Sequence, residues 1–207
     1  MALVLTVLAV FLLLIVSEYW WRKHPQPNEL SRKFVHITVG SFVAFWPFFL
    51  SWNQIIFLSA AFLVGVGASK YLNIFKAIHS VQRPTWGELF FAAAVGIIAM
   101  ITHSKGIYAV ALLQMSLADG LAAIVGLRFG TGNRYKVFGS TKSIAGTATF
   151  FVISLALLIG YSQLSEAFLP LAFLAALALC TSLIENLGIV GLDNLLVPLV
   201  IAYVLSL

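Results

Sequence analysis

"SLADGLAAIVGLRFG", residues 116–130, has the composition of a membrane-buried helix at every position but one. Asp119 is surrounded by Met115, Leu117, Ala118, Leu121 and Ala122, and the next basic residue along the chain is Arg128. At 1.5 Å of rise per residue that arginine stands about 13 Å further along a helix. A carboxylate in hydrocarbon is expensive, so intramembrane acids face bundle interiors and mark functional sites. Ala118, Ala122, Gly126 and Gly130 recur every fourth residue, a ladder of small residues along which a second helix can approach closely. Asp119 borders that ladder and is expected to point into a bundle. There it is either a structural acid with a buried partner or part of a polar site.

The rest of the chain supplies the bundle. Of 207 residues, 61% are hydrophobic and only 9% charged, where a soluble domain carries about a quarter charged residues. The expected fold is all-α: a polytopic integral membrane helix bundle forming one domain over residues 1–207. Eight apolar spans are read at 2–21, 34–50, 54–71, 87–103, 107–129, 143–161, 168–185 and 194–206. The first has its basic residues after the apolar run and no A-x-A-like cleavage site, so it is expected to be a retained helix rather than a signal peptide. Cys180, the single cysteine, excludes an intramolecular disulfide and is expected to be a small buried hydrophobe.

Charge orients the spans. Eleven of the twelve Lys and Arg fall in the connections after the first, third and fifth spans, and only Lys105 falls on the opposite side. By the positive-inside rule those connections are cytoplasmic and both termini lie outside. The acids gather on the same side: Glu18, Glu29, Glu88, Glu185, Asp193 and the span carrying Asp119, with Glu166 the exception. Topology hardly depends on acids, so both signs at one face point to a polar site opening to the cytoplasm.

Four stretches converge on that face. In "GLRFGTGNRYKVFGSTKSIAGTATFF", glycines 126, 130, 132 and 139 are interleaved with Arg128, Arg134, Lys136 and Lys142, and Lys142-Ser143 is expected to open the next helix. Freed backbone N–H groups, a helix N-terminus and clustered cations make an anion site, so Gly130, Arg134, Lys136, Gly139, Ser140, Lys142 and Ser143 are candidate phosphate ligands. The spacing is not that of a Walker A loop. "RKFVHITVG" brings Arg32, Lys33 and His36 to the start of the second span, Arg32 and His36 being i and i+4 on one helix face. "RPTWGELFF" places Thr85 and Glu88 at the start of the fourth span, where an N-cap and an acid near the helix dipole are a sufficient structural account. "ENLGIVGLDNLLVP" gathers Glu185, Asp193 and Asn194 at the last turn, which holds no basic residue. Carboxylates and an amide suit a hard, oxygen-ligated cation such as Mg²⁺.

The pieces "ELSRKFVHITVG", "RPTWGELFF", "LADGLAAIVGLRFG", "KVFGSTKSIAGTATFF" and "ENLGIVGLDNLLVPL" resemble, in order and over residues 29–199, the polyprenol kinase family of dolichol kinases, phytol kinases and CTP-dependent diacylglycerol kinases. The family is distantly similar to the phosphatidate cytidylyltransferases. The resemblance implies a catalytic core over 29–199, preceded by a first helix and basic connection over 1–28. It also implies transfer of the γ-phosphate of a nucleotide, CTP in most members, to a lipid alcohol. The short chain looks like the compact phytol kinase type. Under that reading Asp119, Lys142, Arg32, Lys33, His36 and Glu88 are catalytic candidates. Asp119, Asp193 and Glu185 are the candidate Mg²⁺ ligands, and Asn194 would orient substrate. Its partners would be a lipid alcohol, a nucleoside triphosphate and membrane lipids, with no nucleic acid. The rival readings are a CTP-dependent diacylglycerol kinase, a lipid cytidylyltransferase, a secondary transporter and a scaffold. A transporter needs polar groups leading to both faces, and the outer side here is nearly bare of them.

Overall fold

The computed structural model describes residues 1–23, 28–72, 86–165 and 168–207. The expectations that rest on Lys76, Arg83, Thr85 and Glu166 lie outside the described residues. The chain is helical almost throughout: α1 (Ala2–Lys23), α2 (Asn28–Ala44), a 3₁₀ turn (Trp46–Phe48), α3 (Trp52–Leu72), α4 (Gly87–Ile101), α5 (Lys105–Leu113), a π turn (Gln114–Ala118), α6 (Asp119–Phe129), α7 (Ile144–Leu164), α8 (Leu171–Leu187) and α9 (Asp193–Leu205). Among the described residues, two helices are long and apolar enough to cross a membrane, Lys105–Phe129 and Ile144–Leu164. Five shorter apolar helices accompany them.

The 105–129 helix is the axis of the fold. Tyr108, Leu112 and Met115 on it are essentially inaccessible and join Ile98 of α4, Leu158 of α7, Ala178 of α8 and Ile201 of α9 in one core. α4 lies between α3 and α9, and α7 between α6 and α8, while α1 lies against α2 at the edge. Small residues set the closest crossings, as the ladder in the sequence anticipates. A Cβ on Gly130 or Gly126 would stand 2.5 or 2.9 Å from atoms of the Ser143 side chain, and one on Gly146 would stand 3.0 Å from the Ala122 carbonyl oxygen. Ser143 wedges into that seam and caps α7, its hydroxyl accepting from Gly146 N at 3.1 Å.

Four findings depart from the sequence reading. The second helix begins at Asn28, earlier than expected, and ends at Ala44, with Pro47 in the 3₁₀ turn that follows. Residues 134–143 form a β-hairpin, β1 (Arg134–Val137) and β2 (Ser140–Ser143), so Lys142 stands on a strand and α7 opens at Ile144. The alternation in "RYKVFGSTKS" around a tight turn is the reason: Phe138 and Gly139 both take positive φ, 45° and 81°, as a two-residue hairpin loop demands. The helix carrying Asp119 is interrupted by the π turn. Finally, Cys180 is exposed on α8 rather than buried.

α2 meets α6 through Gly120, where a Cβ would lie 2.2 Å from Ile37 Cγ1. Ile is stiff at χ1 in a helix and cannot swing away. Gly120→Ala should therefore lower stability by about 1–3 kcal/mol, read as a drop in the thermal midpoint in detergent. Adding Ile37→Ala should return part of the loss.

Candidate active site

The π turn is what aims Asp119. Its backbone N–H reaches back five residues to the Gln114 carbonyl, and the extra residue in the turn rotates everything after it by about 100° relative to an unbroken helix. His36 Nε2 lies 3.1 Å from the Met115 carbonyl oxygen, to which it donates, and 3.7 Å from Asp119 Oδ2. Lys33, one turn earlier on α2, places Nζ 2.5 Å from Asp119 Oδ2. Lys33 and Asp119 are 7% and 6% exposed. Lys33 and His36, at i and i+3, thus share the inner face of α2. Arg32 turns aside to Glu29, with Nη2 2.6 Å from its Oε1.

Asp119 does not stand alone with its lysine. One carboxylate oxygen from each of Asp119, Glu185 and Asp193 lies within 4.8 Å of the others. Carboxylates at that spacing repel by about 3 kcal/mol per pair at an effective dielectric near 20, so the cluster persists only with cations beside it. Lys33 serves Asp119. Lys142 serves Glu185, hydrogen-bonding both its carboxylate and, at 3.0 Å, its main-chain oxygen. Burial pulls the Lys142 ammonium toward its neutral form, but Glu185 outweighs this and leaves its pKa above the usual lysine value. It is charged at neutral pH. Asp193 has no lysine partner among the described residues.

The turn between α8 and α9 folds Asp193 back over Glu185. Gly188 allows it: a Cβ there would stand 2.7 Å from Asp193 Cβ and 2.9 Å from its Oδ1. Trp86 N donates to the Val190 carbonyl oxygen at 3.0 Å, pinning the turn to the start of α4. Asn194 Nδ2 donates to the Gly87 carbonyl oxygen at 3.2 Å, and its Oδ1 is buried without a hydrogen-bond partner among the described residues. A narrow cleft between these groups is lined by Asp119, Glu185, Asp193, Asn194, Met115, Phe150 and Val197. Three carboxylates and an unsatisfied amide oxygen around one small space form a donor set that fits Mg²⁺.

The fold therefore assembles most of the residues singled out in the sequence. Asp119, Glu185, Asp193, Asn194, Lys33, His36 and Lys142 meet at one end of the bundle. Glu88 lies half-buried in the first turn of α4. The phosphate candidates divide. Lys142 turns inward, whereas Arg134 and Lys136 lie on the exposed face of the hairpin and Gly139 at its exposed tip. Ser140 is half-buried opposite Val137, and Gly130 ends α6 against Ser143.

Residues the sequence reading did not name hold the hairpin down. Tyr135 Oη donates to Asn186 Oδ1 at 2.6 Å, and the Thr147 hydroxyl is 2.5 Å from the Tyr135 oxygen and 3.1 Å from Asn186 Oδ1. Only the strand alternation of "RYKV" could have indicated that Tyr135 turns inward.

Asp119→Asn should lower stability on the order of 3 kcal/mol, because it leaves the buried Lys33 charge uncompensated. Adding Lys33→Met should return most of that loss. Thermal midpoints of the single and double variants in the same detergent check this. An Asn variant as stable as the wild type would mean that Lys33 is not held by Asp119.

No family model and no solved structure matches the chain at a significant level. Among characterised sequences it is 33% identical over 193 residues to a phytol kinase of Synechocystis sp., covering 89% of this chain and 82% of that one. It is 31% identical over 197 residues to "Probable phytol kinase, chloroplastic" of Triticum aestivum, and 28% identical over 190 residues to "Probable phytol kinase 2, chloroplastic" of Glycine max. The chain spans 65% and 63% of those plant proteins. The Synechocystis match covers most of both chains. On that similarity, this chain belongs to the phytol kinase family.

Proposed function

We propose that the protein is a multi-pass membrane enzyme that transfers the γ-phosphate of CTP, with Mg²⁺, to the hydroxyl of an isoprenoid alcohol of the phytol class at the cytoplasmic face. The observation that carries this reading is the convergence of three carboxylates and two lysines, drawn from α2, α6, β2, α8 and α9, on one cleft. Phosphoryl transfer asks a protein for positioning and charge neutralisation more than for covalent chemistry, and these groups supply both. The family resemblance supports the choice of an isoprenoid alcohol. CTP is the nucleotide that the family resemblance implies.

Asp119, Glu185 and Asp193, with Asn194 Oδ1 beside them, would hold Mg²⁺, which would supply neutralisation of the nucleotide's phosphate charge. Lys142, on β2 and bonded to Glu185 of that cluster, would meet the triphosphate. Lys33, on the inner face of α2, would stabilise the charge that develops on the transferred group, whereas Arg32 is turned to Glu29. The alcohol oxygen attacks the γ-phosphorus, the bond to the β–γ bridging oxygen breaks, and CDP leaves. The alcohol's proton goes to a carboxylate. Asp193 would take it in that step, as the base rather than as a third metal ligand, because Asp119 and Glu185 are each engaged by a lysine.

The membrane setting rests on composition and on the lie of the charges. Large apolar side chains cover the exterior, as at Leu8, Phe11, Leu12 and Ile15 of α1. The lysines and arginines concentrate at the ends of the helices where the acid cluster lies, and Lys105 stands at the other end. On this reading both termini are exterior and the lipid tail lies among the helices while its hydroxyl reaches the cleft.

The test is the purified protein in sealed vesicles of known orientation, supplied with CTP, ATP, GTP or UTP and with phytol, geranylgeraniol, farnesol, undecaprenol or diacylglycerol. Phosphorylated phytol-class alcohol with release of CDP, only when CTP meets the cytoplasmic face, is the expected result. Pyrophosphate release with a CDP-lipid product would instead indicate a cytidylyltransferase. In the same assay Asp193→Asn should lower kcat by about a hundredfold or more, the scale of a lost general base. Lys142→Ala should raise the KM for CTP and reduce kcat/KM by roughly tenfold to a hundredfold, as loss of a charge-assisted phosphate contact does.

A further inference from the structure

Tyr135 and Lys142 are directly opposed across the hairpin, so their side chains leave the same face of the two-stranded ribbon. That face meets the last turn of α8. There Lys142 bonds to Glu185, and Tyr135 bonds to the next residue, Asn186. Asn186 is itself oriented: its Nδ2 donates to the Ser182 carbonyl oxygen at 3.0 Å, which turns Oδ1 toward the hairpin. Thr147, in the first turn of α7, closes a triangle of hydroxyl, phenol and amide oxygens. The hairpin has few other tethers. Arg134, Lys136, Phe138 and Thr141 are exposed, and a two-stranded ribbon by itself is marginally stable.

We infer that Tyr135, Thr147 and Asn186 form a polar anchor that fixes the hairpin against α7 and the last turn of α8, and so sets the position of Lys142 beside Glu185 and toward the nucleotide phosphates. They are positioning residues, acting through Lys142. The inference deepens the kinase reading and rests on it for the ligand. The anchor ties the strand to α7 through Thr147 and to α8 through Asn186. Lys142 is thereby presented to a polyphosphate without having to order the strand at each turnover. Such pre-organisation is lost when the phenol hydroxyl is removed, although the ring remains to pack.

The experiment compares Tyr135→Phe, Thr147→Val and Thr147→Ser with the wild type, singly and in the Lys142→Ala background. Tyr135→Phe and Thr147→Val should each raise the KM for CTP by about tenfold, the scale of one buried hydrogen bond. The KM for the lipid and the thermal midpoint should stay within error. Thr147→Ser, which keeps the hydroxyl, should restore the wild-type KM. In the Lys142→Ala background, Tyr135→Phe should add no further loss, because residues acting through one group are non-additive. Hydrogen exchange should quicken over residues 134–143 in Tyr135→Phe, with α7 and α8 unchanged. An additive double variant, an unchanged KM for CTP, or unchanged exchange in the hairpin would each overturn the anchor. A wild-type protein that phosphorylates no lipid would defeat the kinase reading instead, and the exchange comparison would then decide the anchor alone.

Discussion

The contact between Lys33 and Asp119 is the constraint on which the rest of the site depends. Neither group could be buried alone at a cost the fold would tolerate, and each is presented by a helix that other features force into place. Gly120 brings α2 close enough for Lys33 to reach, and the π turn before Asp119 rotates its carboxylate toward that lysine. The Met115 carbonyl oxygen within the turn takes the donor of His36, which seats the imidazole beside the same acid. A straight α-helix with a larger residue at position 120 would break all three contacts together.

Glu185 and Asp193 extend the same logic across the bundle. Lys142 neutralises Glu185 from the hairpin, and the Gly188 turn delivers Asp193 with no ion-paired lysine of its own among the described residues. Among those residues two lysines are paired within a cluster of three carboxylates, and Asn194 adds an unsatisfied oxygen. On the proposed kinase reading, the cleft lined by these acids would hold a divalent cation brought by the nucleotide, and the apolar helices around it would shelter the tail of a lipid alcohol.

The hairpin divides its charges between two tasks. Its inner face, with Tyr135 and Lys142, is tied to α7 and α8, while its outer face carries Arg134 and Lys136 into solvent. The cations that the sequence groups into one phosphate cradle therefore fall on opposite sides of a ribbon. A ribbon alternates its side chains with a period of two, so residues two apart share a face and neighbours do not.

The sequence by itself determined that the protein is a helical bundle rich enough in apolar residues to sit in lipid. From the gathering of charge at one face it set the expectation that Glu185, Asp193 and Lys142 lie on the same side as Asp119. It also determined that Asp119 must face inward, because a charge in an apolar run needs a partner and a glycine ladder needs a neighbour. Which partner was a tertiary matter. Lys33 lies 86 residues before Asp119, and its choice over Arg32 depends on the rotation of α2 against α6, fixed by Gly120 and Ile37. The Tyr135–Thr147–Asn186 triangle was likewise beyond local reading, because its members come from a strand and two helices and are common surface residue types taken singly. Only packing brings three such groups within hydrogen-bonding distance of one another.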